Sequence, residues 1–157
     1  MIRHGIVGLL LIGLFLVIVG CGPQGRALRV EFVEGVITLD GQPVSDASVT
    51  FIPKNEEDGT EAAGGFSNAD GVFRLTSMNG DPERGAVAGE YRVTVSKIEI
   101  NDPTAGLSEA EAAALAHVPT TQHQVLPAIY QDRVNTPLSY TVNRGRNRID
   151  IELSSNP

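Results

Sequence analysis

Apolar and polar residues alternate along much of this chain, which is typical of β-strands that bury one face. The clearest case is 91–96, where Tyr91, Val93 and Val95 are predicted to point inward. Each such strand has one face to bury and no strand-helix-strand repeat occurs, so two antiparallel sheets packed face to face fit the pattern. The sequence predicts an all-β fold, a seven-stranded antiparallel β-sandwich. Its other strands are expected within 29–39, 47–51, 66–76, 138–142 and 147–153.

Turn and loop signals separate these strands. Asp40-Gly41 and Asp70-Gly71 predict tight turns, because Asp and Gly tolerate the backbone angles that hairpins need. Segments 54–65 and 78–89 contain glycine and polar residues without alternation, and they are predicted to be loops. The strand after the first loop is therefore expected to begin at Phe66.

A change of phase interrupts the first strand. Val30 and Phe32 alternate in one phase, whereas Val33, Gly35 and Ile37 alternate in the other. An extra residue in one strand shifts the alternation in this way. The sequence thus predicts a β-bulge near Phe32 and Val33.

Residues 101–124 lack the strand alternation and are predicted to be an insertion between strands. Ser108 is followed three residues later by Glu111, a capping box in which the serine is the N-cap and the glutamate reaches back to it. An alanine-rich stretch follows and stops near Val118-Pro119. The insertion is expected to contain one short helix, about 109–117.

The amino-terminal residues form a separate unit. Arg3 and His4 precede sixteen uncharged residues at 5–20, and Cys21 follows. A short basic start, an apolar stretch and a small exit residue predict a secretory signal peptide. The alternative is a retained transmembrane helix, but sixteen residues at about 1.5 Å each span roughly 24 Å, less than the roughly 30 Å of a bilayer core.

Ile18-Val19-Gly20-Cys21 resembles the lipobox of bacterial lipoproteins. The resemblance implies that a diacylglyceryl group is attached to the Cys21 sulfur, that the chain is cut just before this residue, and that the new amino terminus is acylated. Cys21 is the only cysteine, so a disulfide framework is excluded. The predicted units are a lipoprotein signal peptide (1–20), a lipidated tether (21–28), a β-sandwich domain (29–153) and a tail (154–157).

The charge of the mature chain restricts its partners. Removing residues 1–20 takes away Arg3 and no acid, which leaves 11 Lys and Arg against 19 Asp and Glu, a net charge of −8. Such a surface repels nucleic acid and anionic headgroups, so the lipid on Cys21 is expected to hold the protein at a membrane. The acidic segment 56–58 is interpreted as solvated surface. With no Trp and few aromatic residues, the core must consist mainly of Val, Ile and Leu.

Several segments, in their order along the chain, resemble the carboxypeptidase regulatory-like domain, a transthyretin-like (prealbumin-like) seven-stranded β-sandwich. The resemblance covers 33–153 and implies fold and topology. In carboxypeptidases the equivalent domain is an accessory to a separate catalytic domain, which this sequence does not contain, and a fold-level resemblance does not itself transfer function. The matching segments are 35–44 (GVITLDGQPV), 47–51 (ASVTF), 70–73 (DGVF) and 89–95 (GEYRVTV). Leu126-Pro127, Tyr130, Thr136-Pro137-Leu138 and 147–153 are similar to the C-terminal half found in small bacterial lipoproteins with this domain.

Two groups of residues were considered as metal ligands. Asn68, Asp70 and Gly71 match the start of many calcium loops, but no further carboxylate follows at the required spacing, and a hairpin turn explains them. His117 and His123 are not separated by the i, i+4 spacing of a helical zinc site. His117 is placed instead where it can interact with the dipole at a helix C-terminus. No metal and no other cofactor is predicted.

The sequence offers no recognisable catalytic set. Cys21 is committed to lipid, no Gly-x-Ser-x-Gly motif occurs, and both histidines of the mature chain lie in the insertion. The hydroxyisourate hydrolases, a prealbumin-fold enzyme class, end in Tyr-Arg-Gly-Ser, whereas residues 154–157 are Ser-Ser-Asn-Pro. Related adhesin modules form Lys to Asn isopeptide bonds, but Lys54 and Lys97 at strand ends are explained by solvation. The chain is predicted not to be an enzyme.

These observations predict a lipid-anchored, non-catalytic interaction or structural module of the bacterial cell envelope, on the periplasmic side of a membrane or at the cell surface. The sequence identifies no ligand and no specific partner; the candidate classes are an envelope protein and a glycan. One alternative is a glycan- or peptide-binding module that uses loops at one end of the sandwich. The lack of Trp speaks against sugar stacking, although Tyr130 and Tyr140 could supply it. The other alternative is a hydrolase that uses His117 and His123.

Overall fold

The predicted all-β class is confirmed. A computed structural model describes residues 29–55, 60–78 and 85–157, and most of their secondary structure is β-strand in antiparallel sheets. Where the sequence predicted about seven strands, the structure has fourteen shorter ones among the described residues, and some of them lie outside the predicted strands. They are β1 (Val30–Glu31), β2 (Val33–Leu39), β3 (Gln42–Pro43), β4 (Ser48–Pro53), β5 (Ala63–Phe66), β6 (Val72–Arg74), β7 (Thr76–Ser77), β8 (Ala86–Val87), β9 (Gly89–Ser96), β10 (Ile98–Asn101), β11 (Thr121–Gln124), β12 (Ser139–Val142), β13 (Asn147–Arg148) and β14 (Ile151–Leu153).

Little of the described chain is helical. The helices are α1 (Glu109–Ala114) and a short 3-10 helix (Ala128–Gln131). Within the ranges that the structure describes, no helix has the length and apolar character needed to cross a membrane.

Two five-stranded sheets contain most of the strands. The first has the order β12-β9-β4-β5-β7, and all its neighbours are antiparallel. The second is centred on β2, with β13 and β14 along one edge of this strand and β3 and β6 along the other.

The last two strands run parallel to β2, which differs from the purely antiparallel arrangement predicted. The reason is the path of the chain between β12 and β13. Since β12 pairs with β9 in the first sheet, residues 143–146 cross to the second sheet instead of turning back in a hairpin. The chain then meets β2 in the same direction, as crossover connections allow.

Both sheets contribute to one buried cluster. The ring centroid of Phe51 on β4 lies 5.7 Å from that of Tyr91 on β9 and 6.4 Å from that of Phe73 on β6, a strand of the other sheet. Burying a large apolar side chain contributes about 1.5–3 kcal/mol. The largest fully buried side chains are Tyr91, Phe51, Phe73, Ile37, Leu75, Ile151, Val33, Val49, Val93, Val95 and Val142.

Tyr91 is the largest of these side chains, and it carries a polar atom into the core. Its hydroxyl donates a hydrogen bond to the carbonyl oxygen of Val87 over 2.7 Å. Burial, with a smaller contribution from the charge of Glu61, raises the pKa of Tyr91 to about 12. Satisfying the hydroxyl offsets the cost of burying it.

The predicted alternation of β9 and of 147–153 is confirmed, but the predicted bulge is wrong. Burial alternates without a change of phase through Glu31, Val33 and Ile37. The sequence misled because an acid occupies the inward row: Glu31 is only 4% exposed. Its Oε2 accepts a hydrogen bond from the Gly145 N–H over 2.7 Å, and its Oε1 lies 3.3 Å from Nε of Arg29.

The two predicted loops each contain a strand. Ala63–Phe66 forms β5 inside the first sheet, so Phe66 ends a strand where it was predicted to begin one, and its side chain is 74% exposed. Glycine gives no apolar alternation, which is why this strand was missed. Ala86–Val87, in the segment predicted to be the second loop, forms β8 and pairs with β1.

The inserted helix is confirmed, with a shorter span. α1 ends at Ala114, and 115–117 form turns. The capping box is present, since the Ser108 N–H donates to Oε2 of Glu111 over 3.1 Å. The expectation that 101–124 lack strand structure is wrong, because Thr121–Gln124 forms β11 and pairs with β10.

Candidate functional site

Residues 97–125 form a surface element outside the two five-stranded sheets. This element is here named the arm. β10 follows β9 after Lys97 and pairs in antiparallel register with β11. Residues 102–120 connect the two strands and contain α1. Within the described part of the chain, this ribbon pairs with no third strand. A two-stranded ribbon alone is marginally stable in water, so contacts with a binding partner would stabilise the arm.

The arm carries a concentration of exposed apolar side chains. Eight large hydrophobic residues are exposed among the described residues, and four of them belong to the arm. Two lie on β10: Ile98 is 56% exposed and Ile100 is 64% exposed. Because they are two residues apart on one strand, their side chains share a face. The other two are Leu107 and Val118.

The ladder register determines which backbone groups of β10 face outward. The Val125 N–H donates to the Lys97 carbonyl oxygen over 3.0 Å, which makes these residues a hydrogen-bonded pair. Hydrogen-bonded and non-hydrogen-bonded pairs alternate in an antiparallel ladder. Ile98 and Ile100, opposite Gln124 and Gln122, are therefore non-hydrogen-bonded positions. Their N–H and C=O groups point away from β11, toward the open edge of β10.

The arm is acidic. It contains four carboxylates and one lysine, and the Lys97 Nζ lies 3.6 Å from Oε1 of Glu99. Hydrogen bonds from the Thr104 hydroxyl and N–H lower the pKa of Asp102. The Ser108 hydroxyl and N–H likewise lower the pKa of Glu111. Both groups remain ionised at neutral pH, so the arm is anionic. The four acids are Glu99, Asp102, Glu109 and Glu111.

The base of the arm lies at the end of the molecule where β2 finishes. A cavity of about 360 Å³ is lined there by Lys97 and Val125 from the arm and by residues of the β2–β3 turn and after it, including Asp40 and Val44. The C-terminal segment reaches the same end, where the Ser155 N–H donates to Oδ1 of Asp40 over 3.1 Å.

The described chain begins at the opposite end. β1 precedes β2. It is held there by Gly145 of the crossover, which bonds Glu31, and by Asn147 of β13, which bonds Phe32. The Asn147 N–H donates to the Phe32 carbonyl oxygen over 2.8 Å. Since β2 runs from this end to the end that carries the arm, the arm is presented on the far side from residue 29.

The two histidines considered in the sequence are not brought into a site. His117 follows α1, whereas His123 lies on β11 opposite Glu99, and both are exposed. Among residues 29–55, 60–78 and 85–157, no three His, Cys, Asp or Glu side chains are grouped closely enough to hold a metal ion.

The turn interpretation of Asn68, Asp70 and Gly71 is confirmed. Oδ1 of Asn68 accepts hydrogen bonds from the N–H groups of Asp70 over 3.0 Å and Val72 over 2.9 Å. Gly71 has a φ of +75°, which favours glycine. This oxygen is therefore used within the turn. The strands on either side, β5 and β6, belong to different sheets, so the predicted hairpin does not form.

The structure also places the remaining candidate side chains, Lys54, Tyr130 and Tyr140. The Lys54 Nζ lies 3.6 Å from Oε2 of Glu90. Tyr130 is buried, and its hydroxyl oxygen accepts a hydrogen bond from the Ser154 N–H over 2.9 Å, so its ring is not a platform for a sugar. Burial raises the pKa of Tyr140, which is half-buried.

Cys21 and the acidic segment 56–58 lie outside the described residues. The open edge of β10 was missed in the sequence, although Ile98 and Ile100 alternate with Glu99 and Asn101. This four-residue alternation was the signal that could have revealed it.

Comparison with known proteins does not place this chain in a characterised family. No protein-family model matches the chain, no curated protein is significantly similar to it, and no solved structure matches it.

Proposed function

We propose that this chain is a lipid-anchored, non-catalytic interaction module of the bacterial cell envelope, with a prealbumin-like β-sandwich as its body and the arm as its binding element. The lipid is attached at Cys21, and residues 21–28 are the tether. The order of the motifs in 33–153 supports this fold, as does a buried cluster shared by two five-stranded sheets.

The observation that carries the proposal is the position of the arm relative to the start of the folded chain. An anchored protein that binds a partner needs its attachment point and its binding surface apart. Here residue 29 and the arm lie at opposite ends of β2, and the arm concentrates exposed Ile98 and Ile100. Clustered exposed apolar residues mark interaction surfaces.

The other candidate functions have less support. A hydrolase would need His117 and His123 near each other or near a nucleophile, but they occupy separate, exposed elements. Sugar stacking on Tyr130 conflicts with the burial of its ring. A peptide or protein ligand on the arm agrees better with an open strand edge than a glycan does.

Mass spectrometry of the protein purified from envelope membranes tests the anchor. We expect the mature chain to begin at an acylated Cys21, and a Cys21→Ala variant to lose the lipid mass and accumulate with residues 1–20 attached. Finding an unmodified Cys21, or an intact Met1 in most molecules, would refute the lipid anchor.

A further inference from the structure

We propose that the open edge of β10 binds an extended segment of a basic partner protein, which adds a third strand to the arm. This inference rests on the proposed function, because it specifies the partner of the same arm. An added strand gains affinity from main-chain hydrogen bonds and specificity from alternate side chains.

The backbone of β10 provides the first part of the argument. The outward N–H and C=O groups of Ile98 and Ile100 are a short template for strand pairing. Many proteins protect such an edge with proline, a bulge or an inward-pointing charge, and 98–101 contain no proline. The two isoleucines occupy the positions that an incoming strand would contact.

The side chains of β10 indicate the sequence of the incoming strand. Aliphatic residues would lie on the face of Ile98 and Ile100, and the residue opposite Glu99 would lie on the other face. A lysine or arginine there forms a favourable cross-strand pair with the glutamate. The occupant thus alternates aliphatic and basic residues.

Charge favours such a partner over a second copy of this chain. The arm has four carboxylates and one lysine, so two arms repel each other. In an antiparallel pairing of two β10 strands that aligns Ile98 with Ile100, Glu99 would lie opposite Glu99 of the other copy. Like charges directly opposite each other destabilise a sheet. A cationic segment gains the attraction that a second copy lacks.

Binding of a synthetic peptide to the purified full-length chain in detergent tests this proposal. The probe is an eight-residue alternating Lys-Val peptide with blocked ends, measured by fluorescence anisotropy. We expect saturable binding that weakens roughly ten-fold between about 50 and 300 mM salt. An alternating Glu-Val peptide should bind roughly ten-fold more weakly or not at all, because it repels the acidic arm.

Two changes test the strand edge itself. Ile100→Pro removes the N–H that points to the open edge, but it removes no N–H that bonds to β11. This change should weaken binding of the peptide roughly ten-fold. Ile100→Thr keeps the N–H and the strand preference, and it should weaken binding by less than about three-fold. Val134→Thr, a charge-neutral change at an exposed apolar residue outside the arm, is the matched surface control and should leave binding unchanged. A Lys-Val peptide N-methylated at alternate residues should also lose binding, and this result holds even if Ile100→Pro unfolds the arm.

Equal binding of the N-methylated and unmodified peptides would overturn strand addition. Equal binding of the Lys-Val and Glu-Val peptides would overturn the charge argument. Self-association of the chain that Ile100→Pro abolishes, seen by sedimentation, would identify a second copy as the occupant and refute the basic partner. None of these measurements depends on the lipid at Cys21, so failure of the anchor and failure of the strand edge are distinguishable.

Discussion

Gly65 sets the distance between two strands that the core requires to be close. A Cβ atom at this residue would lie 2.2 Å from the carbonyl oxygen of Arg74 and 3.1 Å from its carbonyl carbon. The obstacle is backbone, which cannot rotate out of the way as a side chain can. β5 can approach the end of β6, a strand of the other sheet, this closely because position 65 lacks a side chain.

Gly65→Ala should therefore destabilise the protein by about 1–3 kcal/mol, the usual cost of forcing extra atoms into a packed region. Urea unfolding followed by circular dichroism measures this free energy. Gly89→Ala is the matched control on β9, because its Cβ would have its nearest neighbour at 3.5 Å, an ordinary contact. Equal effects of the two substitutions would contradict the close-approach explanation.

Single residues also explain where the sequence pattern failed. The inward row of the first strand begins with Glu31, an acid, and β5 contains Gly64 and Gly65. Alternation detects a strand only where the inward residues are apolar, so an inward carboxylate falsely predicts a bulge and a glycine pair falsely predicts a loop. The hydrogen bond from Gly145 that satisfies Glu31 joins residues distant in sequence, and no local pattern contains it.

Among the strands and helices, the sequence predicts best those strands that bury an apolar row of side chains. β9 and 147–153 were predicted with the correct inward faces, because each has an apolar row in the core. The capping box of α1 was also predictable, since it depends on residues three apart. β10 and β11 have no buried face, and their pairing depends on each other. The candidate site was therefore the part of the fold that the sequence specified least clearly.

The arm should be dispensable for folding. Lys97 and Val125 form a hydrogen-bonded pair at its base, so an Asn-Gly turn can join them in place of 98–124. Because the removed residues are mostly exposed and shortening a loop reduces its closure entropy by about 0.6 kcal/mol per halving, stability should change by less than about 2 kcal/mol. Urea unfolding should remain cooperative, and the β signal in circular dichroism should persist.

Leu75→Ala serves as the comparison for the arm replacement. Leu75 is fully buried, and its truncation should cost about 2–5 kcal/mol. If the arm replacement is as destabilising as this core substitution, the arm belongs to the folding unit. A stable replacement that no longer binds the Lys-Val peptide would instead separate folding from binding.

The whole molecule has two unlike ends. One holds the start of the described chain and the crossover 143–146; the other holds the arm, the β2–β3 turn and the C-terminal segment. Cys21 precedes residue 29 by eight positions, and eight residues reach at most about 28 Å. An anchor at Cys21 would therefore hold residue 29 within about 28 Å of the membrane, and we expect the arm, at the other end, to face away from it.

Fluorophores at the two ends can test this orientation on vesicles. Single substitutions Arg144→Cys and Ala105→Cys, each labelled in the lipidated protein, place a dye at the crossover and in the arm. Both residues are exposed, so labelling should not disturb the core. Brominated lipids quench only dyes close to the bilayer, and we expect stronger quenching at position 144 than at position 105. Vesicles without brominated lipid correct for other effects of the surroundings on the fluorescence of each dye.

Equal quenching would indicate that the tether allows free tumbling, and stronger quenching at 105 would show the arm facing the membrane. Either result would contradict an arm presented away from the anchor.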